Sequence, residues 1–521
     1  MATDLTLPIG AYSVGATYPD QIAIVAADDT TTTFGLLLER GNRLSNALRA
    51  LGLRNGDVVA YLLRNEPSFF EVALGVEQVG MYRVPINAHL TPAEVAYIVR
   101  DSDARVLVAS HDLAAALAPV LDELVEHRFV VGTPVAGWHD YEAWLTAADA
   151  GTPAGRRLGA TMGYTSGTTG APKGVRRSLA AILPEEVLPA MDRMTRLFGF
   201  RPFDGVHLVM APLYHSAPNT FAVNALHLGH TVVLQPRFDA EAFLTAVAKH
   251  HVTSTHLVPT HFHRLLELPE EVRAAADLDS LEIVVAAGAP FPPNLKARAL
   301  AWLGPVVWEY LASTEGLVSV ISPTEAMAHP GSVGRLIDAK ILDENGEPVA
   351  AGEAGLIYFP AGQPPFRYHN DPLKTAATVR ADGYATAGDI GRVDPGGYLY
   401  LLDRRVDLII TGGVNVYPAE VEQHLAEHPV VEDVAVVGMP DPEWGNQVVA
   451  VVQLADGEHH RELLPAELDR FCRSALTRAK CPRHYEFVDT LPRTETGKLL
   501  RRVVRDTLSS SNGARPWTLR R

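Results

Sequence analysis

At 521 residues the chain exceeds the size at which one hydrophobic core usually stops growing, so more than one domain is expected. Hydrophobic residues make up 47% and charged residues 20%, an ordinary globular balance, and the net charge of -16 argues against a nucleic-acid partner while still permitting a locally held phosphate. The two cysteines, Cys472 and Cys481, offer neither a disulfide framework nor a metal motif; with no signal-peptide pattern and no apolar run of bilayer length, a cytoplasmic location is the expectation.

In chain order, Leu37, Leu44 and Leu48 recur at helical spacing and Gly52 ends the pattern. Residues 58–63 read as a strand. Thr91-Pro92-Ala93-Glu94 opens a helix: Thr91 caps, Pro92 fits the first helical position and Glu94 bonds back in a capping box. Residues 105–110, 206–210, 231–234 and 281–286 read as buried strands, and helices between them predict an α/β fold with largely parallel sheet. From Gly352 short strands and tight turns take over, at 355–359, 383–384 and 396–402, marking a β-rich subdomain. After Arg404 a smaller α+β unit is expected, with helices at 418–425 and 465–476 and strands at 434–437 and 448–454. Cys472 is expected on the apolar side of the second helix with Leu468 and Leu476. These readings give a large domain over 1–403 and a small one over 404–521, whose tail after Ser509 is polar and expected to be unstructured.

The densest local signal is Tyr164-Thr165-Ser166-Gly167-Thr168-Thr169-Gly170-Ala171-Pro172-Lys173-Gly174. Glycines let backbone N–H groups turn toward one ligand, hydroxyls add neutral donors and Lys173 adds a positive charge, a set suited to polyphosphate. The spacing is not that of a Walker A loop, and on composition alone a flexible loop of small residues accounts for it equally well.

The residues themselves resemble the phosphate-loop signature of the adenylate-forming superfamily, which includes acyl-CoA synthetases, nonribosomal-peptide adenylation domains and firefly luciferase. Further matches follow in the family's order and cover most of the chain, which looks most like a fatty-acyl or bulky-acyl-CoA synthetase. The resemblance implies that Thr165, Ser166, Gly167, Thr168, Thr169, Gly170 and Lys173 hold the phosphates of ATP. It lays Gly288, Ala289 and Pro290 along adenine. It gives Thr314 the α-phosphate and Glu315 the Mg²⁺, a hard-cation role suited to a carboxylate. Where many relatives carry an aromatic residue and glycine, this chain has Leu311 and Ala312; Leu311 packs on adenine without the aromatic stacking geometry.

By the same likeness Asp389 accepts from the ribose hydroxyls, although Ala387 stands where threonine is usual before Gly-Asp. Arg404 contacts ribose or phosphate, and Gly412 and Gly413 border the thiol tunnel. Lys498, in Pro492-Arg493-Thr494-Glu495-Thr496-Gly497-Lys498, meets the carboxylate and α-phosphate during adenylation. His215 stands near the acyl carboxylate, between acyl site and thiol tunnel. The pivot of the small domain carries Val406 where relatives place aspartate or lysine, a stiffer choice.

The implied reaction joins a carboxylic acid to the α-phosphate of ATP with Mg²⁺ present, releases pyrophosphate, and passes the acyl group to coenzyme A after the small domain rotates. Two other readings stand beside it. One is an enzyme loading the phosphopantetheine thiol of a carrier protein; the other is a weakened nucleotide-binding regulatory homologue. Residues 215–220, 221–228 and 256–263 are expected to contribute to the acyl pocket. A medium or long fatty acid, an aryl acid and a polycyclic acid are all admitted, as are a monomer and a homodimer.

Overall fold

The computed structural model describes residues 9–117, 125–165, 172–186, 188–404, 407–411, 414–455, 457, 463–494 and 497–510. A large N-terminal α/β region with several sheets precedes a smaller C-terminal α+β domain. The N-terminal region is built on two parallel cores. A nine-stranded sheet runs, in spatial order, through Arg335–Leu336, Leu317–Ile321, Val307–Ala312, Ile283–Ala286, Ser254–Leu257, Val206–Val209, Thr231–Leu234, Ile22–Val25 and Thr31–Thr33. Its inner strands pair in parallel and its edges antiparallel. A second sheet, parallel throughout, is centred on Ala104–Ser110 and Val58–Leu62. Such strands are covered on both faces, which is why Val58–Leu62 is buried at every position and reads as a continuous apolar run.

The capping box at Thr91 forms as its residues dictate: the Thr91 hydroxyl accepts from the Glu94 N–H and the Glu94 carboxylate accepts from the Thr91 N–H. The texture change near Gly352 corresponds to an antiparallel sheet of Lys340–Leu342, Gly355–Pro360, Asp389–Val393 and Leu399–Arg404, with Tyr384–Ala385 paired at its side.

The C-terminal domain pairs Val431–Asp441 with Gly445–Leu454 in a long ribbon, with His484–Val488 parallel to the second strand. Alternate residues face opposite sides. Val434, Val436 and Ala450 meet the helices Pro418–Leu425 and Leu464–Ala475, while Ala435, Val437 and Val449 meet Val504 of Arg501–Ser510. Cys472 is buried beside Leu468 in the first layer, as expected, with Leu476 packed against it. The tail beyond Ser510, the loop 166–171, Val406, Gly412 and Gly413 lie outside the described residues.

Candidate active site

The chain leaves the strand Val206–Val209 in both directions across the nine-stranded sheet, next to Thr231–Leu234 on one side and Ser254–Leu257 on the other. In open parallel sheets a crevice forms at the carboxyl ends of strands at such a reversal of order. The expected site residues leave those ends one after another. His215 follows Val209, Gly288 and its neighbours follow Ala286, and Thr314 and Glu315 follow Ala312.

Gly288 has φ +91, a left-handed conformation that glycine adopts without strain, and Gly288 and Pro290 are exposed. The strand Val307–Ala312 carries a register shift between Leu311 and Ala312, a bulge that turns the following residues out of the ladder. Leu311 is half-buried against the β-rich subdomain's core.

The phosphate-loop stretch spans a hairpin. Thr165 pairs with Lys173, and Gly163 with Val175; Ser166, Gly167, Thr168, Thr169 and Gly170, between the paired ends, fall outside the described residues. Gly163 sits so close to Thr314 that a side chain there would come 3.1 Å from the Thr314 methyl, so the hairpin base and Thr314 share one wall. Lys173 pairs with Asp371 at 3.1 Å, which raises its pKa. Asp371 also caps the helix Pro372–Thr378, accepting from the Lys374 N–H at 3.0 Å.

Glu315 is buried, and its Oε1 accepts from the Tyr368 hydroxyl at 2.7 Å. The Arg177 guanidinium donates to the Glu315 carbonyl. Thr314 Oγ1 and Ser216 Oγ lie 3.3 Å apart, which ties the start of the helix Ser216–His227 to the same wall. His215 precedes that helix. Burial, with His89 close by, holds its pKa down to about 4, so its ring is neutral at pH 7.

Asp389 is buried and accepts from the Arg404 Nε at 3.1 Å across the paired strands Asp389–Val393 and Leu399–Arg404. Lys498 comes from the far end of the C-terminal domain into the field of Arg404, Asp407 and Asp389. Burial first, and then Arg404, lower its pKa. Beside it, Gly497 (φ +73) lies 2.6 Å, measured from where a Cβ would stand, from the Thr260 hydroxyl. The structure therefore brings Thr314 together with Ser216 and the hairpin base, Asp389 together with Arg404 and Lys498, and Lys173 together with Asp371. Sequence reasoning missed Tyr368 and Asp371, and included Ser216 and Thr260 only within stretches expected to contribute to the acyl pocket. Only Asp371 carried a local signal, an Asp-Pro helix start.

Residues 12–362 match the family of AMP-binding enzymes, and residues 420–498 match the AMP-binding enzyme C-terminal domain. The chain belongs to this family. It is 35% identical over 492 residues to a feruloyl-CoA synthase of Amycolatopsis sp, covering 91% of this chain and 94% of that one. Among solved structures it resembles the amide bond synthetase McbA from Marinactinospora thermotolerans, with TM-score 0.81 and 29% identity over 93% of this chain and 96% of the other. It also resembles the o-succinylbenzoate CoA synthetase of Bacillus subtilis in complex with its acyl-adenylate intermediate, with TM-score 0.80 and 28% identity over 96% and 98%. Acid activation through an adenylate is the chemistry common to these ligases, and the chain carries the nucleotide-binding architecture for it. No helix among the described residues is long and apolar enough to cross a membrane.

Proposed function

We propose that this AMP-binding ligase is an acyl-CoA synthetase, joining a carboxylic acid to AMP and then to the thiol of coenzyme A. The observation that carries the reading is the approach of Lys498, from the C-terminal domain, to Asp389 and Arg404 of the large domain. One carboxylate oxygen of the acid attacks the α-phosphorus of ATP, and the bond to the β-phosphate breaks to release pyrophosphate. Negative charge grows on the α-phosphate oxygens, where Lys498 and Thr314 stabilise it. Lys173 and the loop 165–170 grip the leaving phosphates, and Asp389 with Arg404 holds the ribose.

One carboxylate with substrate phosphates is a usual Mg²⁺ ligand set. Glu315 fits it, being buried, acidic and engaged at Oε1 by the Tyr368 hydroxyl. Mg²⁺ held there supplies charge neutralisation along the phosphates. In the second half-reaction the thiol gives up its proton to solvent water, its sulfur attacks the acyl carbon, and the bond from that carbon to the phosphate oxygen breaks to release AMP. The neutral His215 sits at the acyl end as a spacer between acid and thiol rather than as a strong base. The lid over residues 404–521 turns on the pivot at Val406, withdrawing Lys498 and bringing Gly412 and Gly413 to the thiol path.

Relatives named as CoA synthases and synthetases support coenzyme A as the acceptor. Acid-dependent release of AMP and pyrophosphate, followed by thioester formation on coenzyme A but not on carrier-protein phosphopantetheine or a free amine, is the expected result. Lys498→Ala is expected to slow pyrophosphate exchange by ~100-fold or more and to spare thioester formation from supplied acyl-adenylate. Equal loss in both half-reactions refutes the role of Lys498.

A further inference from the structure

Gly163–Thr165, Lys173–Arg176 and Arg367–Tyr368 form a small antiparallel sheet whose register decides which side chains share a face. Lys173 pairs with Thr165, and Val175 pairs with Gly163 on one side and Tyr368 on the other, so these residues stand on one face. That face lies against Thr314 and Glu315. A Cβ on Gly163 would come 3.1 Å from the Thr314 methyl, and the Tyr368 hydroxyl donates to Glu315 Oε1 at 2.7 Å. Lys173 stands one row along from Val175, ~7 Å away at 3.4 Å per residue. That spacing leaves Lys173 for the phosphates beyond the one proposed to meet Thr314.

Asp371 gives the two oxygens of its carboxylate separate tasks. Oδ1 accepts from the Lys374 N–H at 3.0 Å and caps the helix Pro372–Thr378, while Oδ2 lies 3.1 Å from Lys173 Nζ. The cap fixes the carboxylate, and hydrogen bonds on either side fix its backbone. The His369 N–H donates to the Gly174 carbonyl at 2.8 Å, the Asn370 amide donates to the Asp101 carbonyl at 3.0 Å, and the Thr375 hydroxyl donates to the Asp371 carbonyl at 2.9 Å. One short segment thus holds Glu315 through Tyr368 and Lys173 through Asp371. Tyr368 and Asp371 also line an open cavity of about 620 Å³, which gives a ligand access to the pair.

Two effects of Asp371 on phosphate binding have opposite signs. A free lysine loses rotamer freedom when it grips a ligand, and one already held loses less. Against this, a carboxylate that merely stood nearby would repel phosphate. The capped carboxylate favours the first effect: it occupies one donor of the ammonium in a fixed place and leaves the others for a ligand.

We propose that Asp371 is a positioning residue that acts through Lys173, holding its ammonium ready for the phosphates that leave during adenylation. The proposal rests on the reading of Lys173 given above and names the group that aims it.

Asp371→Asn removes the charge and keeps the helix cap, since asparagine and aspartate cap about equally well. The test is titration calorimetry with ATP and with AMP, each with Mg²⁺ and without acid. Asp371→Asn is expected to weaken ATP binding ~fivefold and to leave AMP binding unchanged, because AMP lacks the phosphates that Lys173 serves. Lys173→Met is expected to weaken ATP binding ~tenfold or more, again sparing AMP, and adding Asp371→Asn to it is expected to cause no further weakening. Thermal melting reports folding, and Asp371→Ser, which also supplies a capping oxygen, is used if Asp371→Asn does not fold. ATP binding unchanged or tightened in the single Asp371 variant, equal weakening of ATP and AMP, or further weakening on the Lys173→Met background overturns the proposal and leaves the role of Lys173 standing. Unchanged ATP binding in Lys173→Met overturns both.

Discussion

Gly497→Ala isolates the proposed lid movement from the chemistry. Gly497 sits at φ +73, and an added Cβ would overlap the Thr260 side chain, falling 2.6 Å from its hydroxyl and 2.9 Å from its Cβ. Two costs follow. The left-handed backbone penalises alanine by about 1 kcal/mol, and that cost travels with the turn through both positions of the lid. The overlap exists only while the lid is docked as seen here. Overpacking of this kind costs about 2 kcal/mol, equivalent to a ~30-fold loss at 1.36 kcal/mol per decade. The variant is therefore expected to lose ~30-fold in acid-dependent pyrophosphate exchange while forming thioester from supplied acyl-adenylate at close to the parent rate. Thr260→Ala removes the hydroxyl and methyl but leaves the Cβ, so the double variant is expected to recover part of the loss, and the coupling between the two sites measures the contact. Equal loss in both half-reactions, or no recovery in the double variant, refutes the assignment of this docked position to adenylation.

Three other outcomes follow from the same geometry. Lys498 is a cation whose pKa burial and Arg404 push below the usual 10.5, so adenylation is lost as pH rises through that lowered value; Arg404→Met removes a cation beside it, and the alkaline limb of the exchange profile is expected to move to higher pH. Tyr368→Phe takes the donor from Glu315 Oε1, and the Mg²⁺ concentration for half-maximal exchange is expected to rise by about tenfold. Lys296 and Glu309 form a buried pair at 2.5 Å, with Lys296 also donating to the Ser332 carbonyl. Lys296→Met leaves Glu309 buried and unpaired at a cost of about 3–5 kcal/mol, whereas Lys296→Met with Glu309→Leu is expected to recover most of it, read by urea unfolding.

The parallel cores were legible because their strands are buried on both faces: Thr231–Leu234 and Ala104–Ser110 announce themselves as short, mostly apolar runs. The ribbon Val431–Asp441 and Gly445–Leu454 was seen only in part. Its first strand was read at the apolar residues 434–437, but backbone pairing carries it on to Asp441 opposite Gly445, where exposure removes the apolar signal. The residues proposed to carry the chemistry were picked out by the resemblance of their motifs to the family's, in the family's order. Their partners were not. Tyr368 reaches Glu315 because its strand pairs with Lys173–Arg176, and a pairing so distant in sequence leaves no local trace. Thr260 is a routine helix residue until the C-terminal domain docks on it. An apolar or bulky acid was expected from the family resemblance alone.

Two sets of contacts cross the junction between the domains. Asp403, three residues before Val406, is buried; its Oδ2 accepts from the Ala419 N–H at the start of Pro418–Leu425, and Arg501 stands 3.6 Å away. Arg501 in turn pairs with Glu422 and lies 3.3 Å from Asp407, both on the C-terminal side. Burial raises the Asp403 pKa to about 6 even though Arg501 and the Ala419 N–H favour its charge, so the carboxylate at this joint is ionised at pH 7 but held less favourably than in water. Gly497 and Lys498 engage the large domain from the other end of the C-terminal domain. Rotation about residues 405–406 displaces a group in proportion to its distance from the axis. In the proposed rotation the contacts of Gly497 and Lys498 with the large domain are expected to be exchanged. On the proposed reading Lys498 serves only the first half-reaction, and a turn of the lid withdraws it before the second.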